Sequence, residues 1–163
     1  MIDTIIRYTS GIEKEAHSMN YVLLISHGTL AEAMHNTLKA FFVGDRPDLL
    51  HVCMEEGMSP DQYAENVTRI LSKVTENDKL TVLADLMGGS PLTYASYVIN
   101  EMGLLDETTF LCGMNLPMIV ELLTGKEQPA VHVQRHSFLE EARNTIRPFV
   151  LPPLETLCTA EAI

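Results

Sequence analysis

The sequence has few cysteines, few basic residues and no long apolar run, and each shortage excludes a class of protein. Cys53, Cys112 and Cys158 are widely spaced and form no CxxC pair, so they predict neither a disulfide framework nor a zinc site. No apolar run approaches the ~20 residues that span a bilayer, which argues against direct membrane insertion. The chain carries 11 Lys and Arg against 22 Asp and Glu. Its net charge of −11 argues against a nucleic-acid partner, because nucleic acid attracts a basic surface.

The remaining composition is typical of a single globular domain. The 163 residues are 46% apolar and 20% charged, a balance that lets a chain of this length bury one core. Glu13, Lys14 and Glu15 lie where a signal peptide needs an apolar stretch, so we expect a cytoplasmic protein. We interpret residues 1–19 as an N-terminal extension, 20–150 as the domain and 151–163 as a C-terminal tail.

Short apolar runs alternate with segments of helical period, which predicts an α/β fold with a parallel sheet. The predicted strands are Tyr21–Ile25, Leu49–Met54, Leu80–Ala84, Thr108–Cys112 and a fifth, Ala130–Val133.

Helices are predicted after each strand from local start and stop signals. The first runs from about Gly28 to Phe42, with an apolar face made of Leu30, Met34, Leu38 and Phe41. The second begins with a capping box at Ser59 and Gln62. The others run from Ser90 to a stop at Gly103, from the end of the connection Gly113–Pro117 to about Gly125, and from Ser137 to about Phe149.

Three polar residues follow predicted strands and are expected at one edge of the sheet. His27 follows the first strand, Asp85 the third and Asn115 the fourth. Ligands collect at the carboxyl ends of parallel strands, which share one edge. Asp85 would accept a hydrogen bond from one ring N–H of His27 and leave the other nitrogen free as a nucleophile. The alternatives are that His27 fills a loop and that Asp85 caps a loop or a helix.

The segment Gly88-Gly89-Ser90-Pro91 places flexible backbone and a hydroxyl before a predicted helix. Unpaired N–H groups and the helix dipole favour an anion there. A phosphoryl group on His27 would be stabilised there. We expect Gly88, Gly89 and Ser90 to hold it, together with Gly28 and Thr29, which follow His27. The alternative is an ordinary strand-to-helix turn. No GK[ST] ending follows, and no histidine pair has carboxylate or Cys neighbours at metal-ligand spacing, so we expect neither nucleotide, metal nor other cofactor.

Three segments together resemble one family. They are Leu24-Ile25-Ser26-His27-Gly28-Thr29-Leu30-Ala31-Glu32, Asp85-Leu86-Met87-Gly88-Gly89-Ser90-Pro91, and Gly113-Met114-Asn115-Leu116-Pro117-Met118 with Glu121. In order and spacing they are similar to the mannose-family IIA domain of the phosphoenolpyruvate-dependent sugar phosphotransferase system (PTS).

The resemblance implies a doubly wound α/β domain with strand order 2-1-3-4, often closed by a C-terminal strand exchanged within a homodimer. It implies that His27 is phosphorylated on Nε2 by the phosphocarrier HPr and passes the group to a IIB component, which serves a IIC/IID permease. Asp85 would orient the ring and Ser90 would supply a hydroxyl. The residues that would line the site are Asn115, Leu116, Pro117 and Met118.

Two other classes of protein share part of the pattern around His27. Histidine phosphatases also place a His-Gly after a first strand, but they need an Arg before that His, and here Ser26 precedes it. A regulatory IIA-like domain, which signals its phosphorylation state by binding a partner, would use the same His27 and stays open as the alternative.

Overall fold

Four of the predicted apolar segments form one parallel sheet. The strands are β1 (Asn20–His27), β2 (Leu49–Met54), β3 (Lys79–Ala84) and β4 (Thr108–Cys112). They lie in the order β2-β1-β3-β4, and every pairing between neighbours is parallel. The α/β class, the parallel sheet and the strand order are therefore confirmed. The predicted fifth strand, Ala130–Val133, lies outside the described residues.

The structure is a computed structural model that describes residues 18–42, 44–124, 138–140 and 142–151. The chain divides into two compact units, with the boundary between Leu116 and Pro117. The sheet belongs to the first unit. The predicted single domain over residues 20–150, with its extension and tail, stays a prediction.

Helices cover both faces of the sheet, as a doubly wound fold requires. The helical elements of the first unit are α1 (Leu30–Phe41), α2 (Pro60–Leu71), α3 (Ser90–Glu101) and the short 3-10 turn Leu105–Glu107. A further helix, α4 (Leu116–Thr124), begins at the boundary and belongs to the second unit. α1 packs on β1 and β2, whereas α2 and α3 pack on each other and enclose the main core. Side chains alternate along a strand, so β1 supplies Tyr21, Leu23 and Ile25 to that core and Val22 and Leu24 to the other face.

Local signals set two of the helix ends as predicted. Ser59 and Gln62 form the capping box of α2, with the Ser59 hydroxyl accepting from the Gln62 N–H at 3.2 Å. α3 ends at Glu101, and Gly103 follows with a φ of +72°, a left-handed conformation that glycine adopts without strain.

The buried face of α1 differs from the predicted one. Leu30 and Phe41 are exposed, and the buried residues are Ala31, His35 and Leu38. α1 begins only at Leu30, because Gly28 has a φ of +54° and cannot belong to a right-handed helix. β1 is longer than predicted and includes His27, since pairing with β2 continues to Met54.

In the second unit, residues 138–140 and 142–144 are helical. The predicted start of this helix, Ser137, lies outside the described residues. Its helical residues stop at Asn144 rather than at Phe149, because Pro148 has no N–H to donate to the Asn144 carbonyl and its ring would clash with that carbonyl in a continued helix.

Candidate functional site

His27 stands at the carboxyl end of the central strand. Its neighbours on either side of β1 are β2 and β3, so the strand order reverses at this point of the sheet. The next residue, Gly28, donates its N–H to the Met54 carbonyl at 2.9 Å and turns the chain away with its positive φ. The sharp turn leaves the imidazole at the edge of the sheet, with 44% of the side chain exposed.

Asp85 follows β3 and holds His27 through two bonds to one oxygen. Its Oδ2 accepts from the backbone N–H of His27 at 2.9 Å and lies 3.0 Å from the ring Nδ1. Its Oδ1 accepts from the Leu86 N–H at 2.7 Å. An ionised carboxylate can only accept, so Nδ1 carries the proton and the lone pair of a neutral His27 lies on Nε2.

Asp85 is ionised near neutral pH. Burial would by itself raise the pKa of this carboxyl, but the bonds from the His27 backbone, the His27 ring and the Leu86 backbone outweigh it and lower the pKa below its usual value. Only 13% of the Asp85 side chain is exposed. The carboxylate therefore lies behind the ring, and the ring is the group that another molecule can reach.

Gly89, in the Gly88-Gly89-Ser90-Pro91 turn, lies directly against the Cε1–Nε2 side of the His27 ring. Gly89 is the N-cap of α3, and a Cβ added to it would lie 2.6 Å from Cε1 and 3.3 Å from Nε2 of His27. Nε2 is therefore close to the positive end of the α3 dipole, and no acidic residue in the first turn of that helix offsets it. Ser90 is exposed at the first position of the helix.

The other predicted residues lie at the same edge or in the second unit. The Met114 N–H donates to the Ala84 carbonyl at 3.1 Å, which brings Asn115 and Leu116 to the carboxyl edge beside β3. Pro117 and Met118 belong to the second unit. The lining role of these four residues stays a prediction, as do the phosphate-binding roles of Gly28, Thr29 and the glycine-rich turn.

Two features of the site were missed by sequence reasoning. Ser26 is fully buried, and its hydroxyl accepts from the Ala31 N–H at 2.8 Å. A short polar residue at the end of an apolar strand, just before a helix, was the available signal. Leu86 and Met87 are 59% and 85% exposed beside Asp85, so the loop presents apolar side chains to solvent.

The two other histidines that the structure describes, His35 and His51, fit packing better than ligand binding. His35 is buried, and its ring contacts that of His51 with centroids 4.5 Å apart and ring planes tilted by 42°. Within the described ranges, no three His, Cys, Asp or Glu side chains are grouped so that they could hold a metal ion. None of the helices described is both long and apolar enough to cross a membrane.

Comparison with known proteins shows which family has this sequence pattern. A family model for mannose-type EIIA, described as "PTS system fructose IIA component", matches residues 21–139, which is well over half of the chain. The match contains β1 from Tyr21 onwards, all of β2, β3 and β4, and the segments that carry His27, Asp85 and Gly89.

Two curated relatives come from different bacteria. The mannose-specific EIIAB component of Escherichia coli (strain K12) is 22% identical over 142 residues, which cover 86% of this chain and 43% of that protein. The fructose-specific EIIA component of Bacillus subtilis (strain 168) is 26% identical over 110 residues, which cover 68% of this chain and 73% of that one. This chain thus spans less than half the length of the E. coli relative.

Solved structures share the fold. A mannose/sorbose-specific IIA subunit from Enterococcus faecalis superposes with a TM-score of 0.67 at 23% identity, covering 83% of this chain and 98% of that one. An EIIA component from Streptococcus agalactiae gives 0.66 at 20% identity, covering 80% and 98%. Because the family model spans the whole sheet and the edge that carries His27, the chain belongs to the mannose-type EIIA family of the phosphotransferase system.

Proposed function

We propose that this chain is a cytoplasmic phosphoryl carrier that accepts a phosphoryl group from phospho-HPr on Nε2 of His27 and passes it to a IIB component. The observation that carries the proposal is the position of His27: Nδ1 is held by Asp85 at 3.0 Å while Nε2 lies against Gly89 at the start of α3. One nitrogen is fixed and the other is presented, as a nucleophile requires.

The transfer needs little beyond positioning and charge stabilisation. The Nε2 lone pair forms a bond to phosphorus as the bond from phosphorus to the donor imidazole breaks, and that electron pair returns to the donor ring. The positive charge that develops on His27 is stabilised by Asp85. The phosphoryl oxygens meet the N–H groups at the start of α3.

The surroundings of His27 suit a protein donor. Leu30 is 42% exposed and follows the turn after His27, and the exposed Leu86 and Met87 follow Asp85. Exposed apolar side chains grouped around one polar residue are typical of surfaces that bind proteins. In this proposal HPr and the IIB component use that surface in turn, and the IIC/IID permease is reached only through IIB.

Labelling tests the proposal. Phosphoenolpyruvate, enzyme I and HPr should label the wild type on one acid-labile site, and phosphorus NMR should identify a phosphorylated Nε2. His27→Ala should abolish the label. His51→Ala is the matched control, because it removes a strand histidine whose ring contacts His35 and not His27. This variant should keep the phosphoryl label. Undiminished labelling of His27→Ala would refute the proposal.

The regulatory alternative shares the first step and differs in the second. A carrier should lose its label when unphosphorylated IIB is added, at a rate comparable to its own labelling. A regulatory domain should keep the label and change its affinity for a partner instead.

A further inference from the structure

Ser26 joins the strand that ends at His27 to the helix that follows. It is the last residue but one of β1, and its side chain is fully buried on the face covered by α1. Its Oγ accepts from the Ala31 N–H at 2.8 Å. Ser26 Oγ also lies 4.0 Å from Cys53 Sγ of the neighbouring strand, and either group can donate this weak hydrogen bond.

This hydroxyl replaces the ordinary helix cap. Thr29 is the N-cap residue of α1, yet its side chain makes no capping bond. Ala31 is fully buried, so its N–H has no access to water. Without the Ser26 hydroxyl this buried donor would be left unsatisfied, which favours a shift or fraying of the first turn of α1.

The bond closes a short loop around His27. The chain leaves β1 after His27, turns at Gly28, and is tied back to Ser26 by the bond from the Ala31 N–H. His27 lies inside this loop, while Asp85 binds its backbone and its ring from the β3 side. The backbone around His27 is thus fixed from two sides: Asp85 at the end of β3 binds the His27 N–H, and Ser26 binds the first turn of α1.

We propose that Ser26 is a positioning residue for phosphoryl transfer. It fixes the turn between β1 and α1 so that His27 keeps Nδ1 on Asp85 and Nε2 against Gly89. Its effect on the transfer rate rests on the proposed function, whereas its effect on the ring does not.

Ser26→Ala is compared with Ser59→Ala. Ser59 also caps a helix with its hydroxyl, but that helix is α2, which follows β2 and not the strand that ends at His27. Ser59→Ala deletes an exposed cap and should lower the Tm by roughly 2–4 °C. Ser26→Ala should lower the Tm further, because the Ala31 N–H that it leaves without a partner is buried. Ser59→Ala therefore controls for the loss of a helix cap at a position far along the chain from His27.

The first readout is the nitrogen NMR spectrum of the His27 ring at about pH 9, where an ordinary imidazole is neutral. Wild type and Ser59→Ala should show one tautomer, with the proton on Nδ1. Ser26→Ala should show a larger fraction protonated on Nε2 and a weaker signal from the bonded Nδ1 proton. If Ser26→Ala does not fold, Ser26→Cys, with a weaker acceptor of similar size, should give the same change.

The second readout is the rate of transfer from phospho-HPr at saturating donor. It should fall on the order of tenfold in Ser26→Ala and stay at the wild-type value in Ser59→Ala. A wild-type ring spectrum in Ser26→Ala, or the same change in both variants, would overturn the role of Ser26. A wild type that takes no label at all would instead refute the proposed function, and the ring spectrum would still decide about Ser26.

Discussion

Replacing Gly89 by alanine would place a methyl group where the His27 ring now lies. The backbone of Gly89 has φ −67° and ψ 157°, which any residue adopts, so the substitution causes no backbone strain. The new Cβ would be 2.6 Å from Cε1 and 3.3 Å from Nε2 of His27. Carbon atoms in contact keep about 3.5–4.0 Å apart, so the ring must move by about 1 Å.

The displacement is expected to cost activity but little stability. The ring is partly exposed and can swing outwards, which weakens its bond to Asp85 by about 1 kcal/mol. A glycine-to-alanine change at a compatible backbone position returns about 0.4–1 kcal/mol by restricting the unfolded chain. The Tm should therefore change little, whereas a reacting nitrogen misplaced by about 1 Å should slow transfer about 10²-fold.

Gly103→Ala is the matched control, because Gly103 lies just beyond the other end of the same helix. An added Cβ there meets no atom within 4 Å, but the φ of +72° is strained for alanine. This variant should lose about 1 kcal/mol of stability and transfer phosphate at the wild-type rate. Rates of transfer from phospho-HPr and thermal unfolding are measured for both proteins. A Gly89→Ala protein that transfers at the wild-type rate would show that phosphoryl transfer does not depend on the position of Nε2 beside Gly89.

Four further outcomes are expected. Asp85→Asn should fold normally and transfer on the order of 10²-fold more slowly, because an amide cannot balance imidazolium charge; a wild-type rate with unchanged Tm would make Asp85 a structural cap. Asp78 accepts bonds from the Met19 N–H and from the N–H and hydroxyl of Thr75, which lower its pKa although burial opposes them. In urea unfolding, the difference in stability between wild type and Asp78→Asn should therefore be constant from pH 7 to 5. It should shrink below about pH 4, as Asp78 becomes protonated in the folded state at its lowered pKa. A difference that stays constant at all pH values would contradict this role of Asp78. Light scattering at micromolar concentration should give the mass of a homodimer, and a monomer mass would exclude the exchanged strand. Transfer from purified phospho-HPr should continue in excess EDTA, and loss of transfer that magnesium restores would require a metal site.

Local residue patterns were sufficient to predict the elements of the fold. Short apolar runs alternating with helical periods predicted the parallel sheet, and the resemblance supplied the strand order. The capping box at Ser59 was also predicted, because a helix start depends on neighbouring residues alone. The meeting of His27 and Asp85 at one edge followed from topology, since parallel strands end on the same side of a sheet.

Only the tertiary structure decided how these elements meet. The apolar face predicted for α1 placed Leu30 and Phe41 in the core, but packing on β1 and β2 buries Ala31, His35 and Leu38 instead. Hydrophobic periodicity identifies a helix, and the rotation of that helix is set by the surface beneath it. The contact of Gly89 with the His27 ring and the bond from Ala31 to Ser26 depend likewise on strand register and on the angle at which a helix leaves the sheet. Both are properties of the assembled sheet that no local segment of sequence contains.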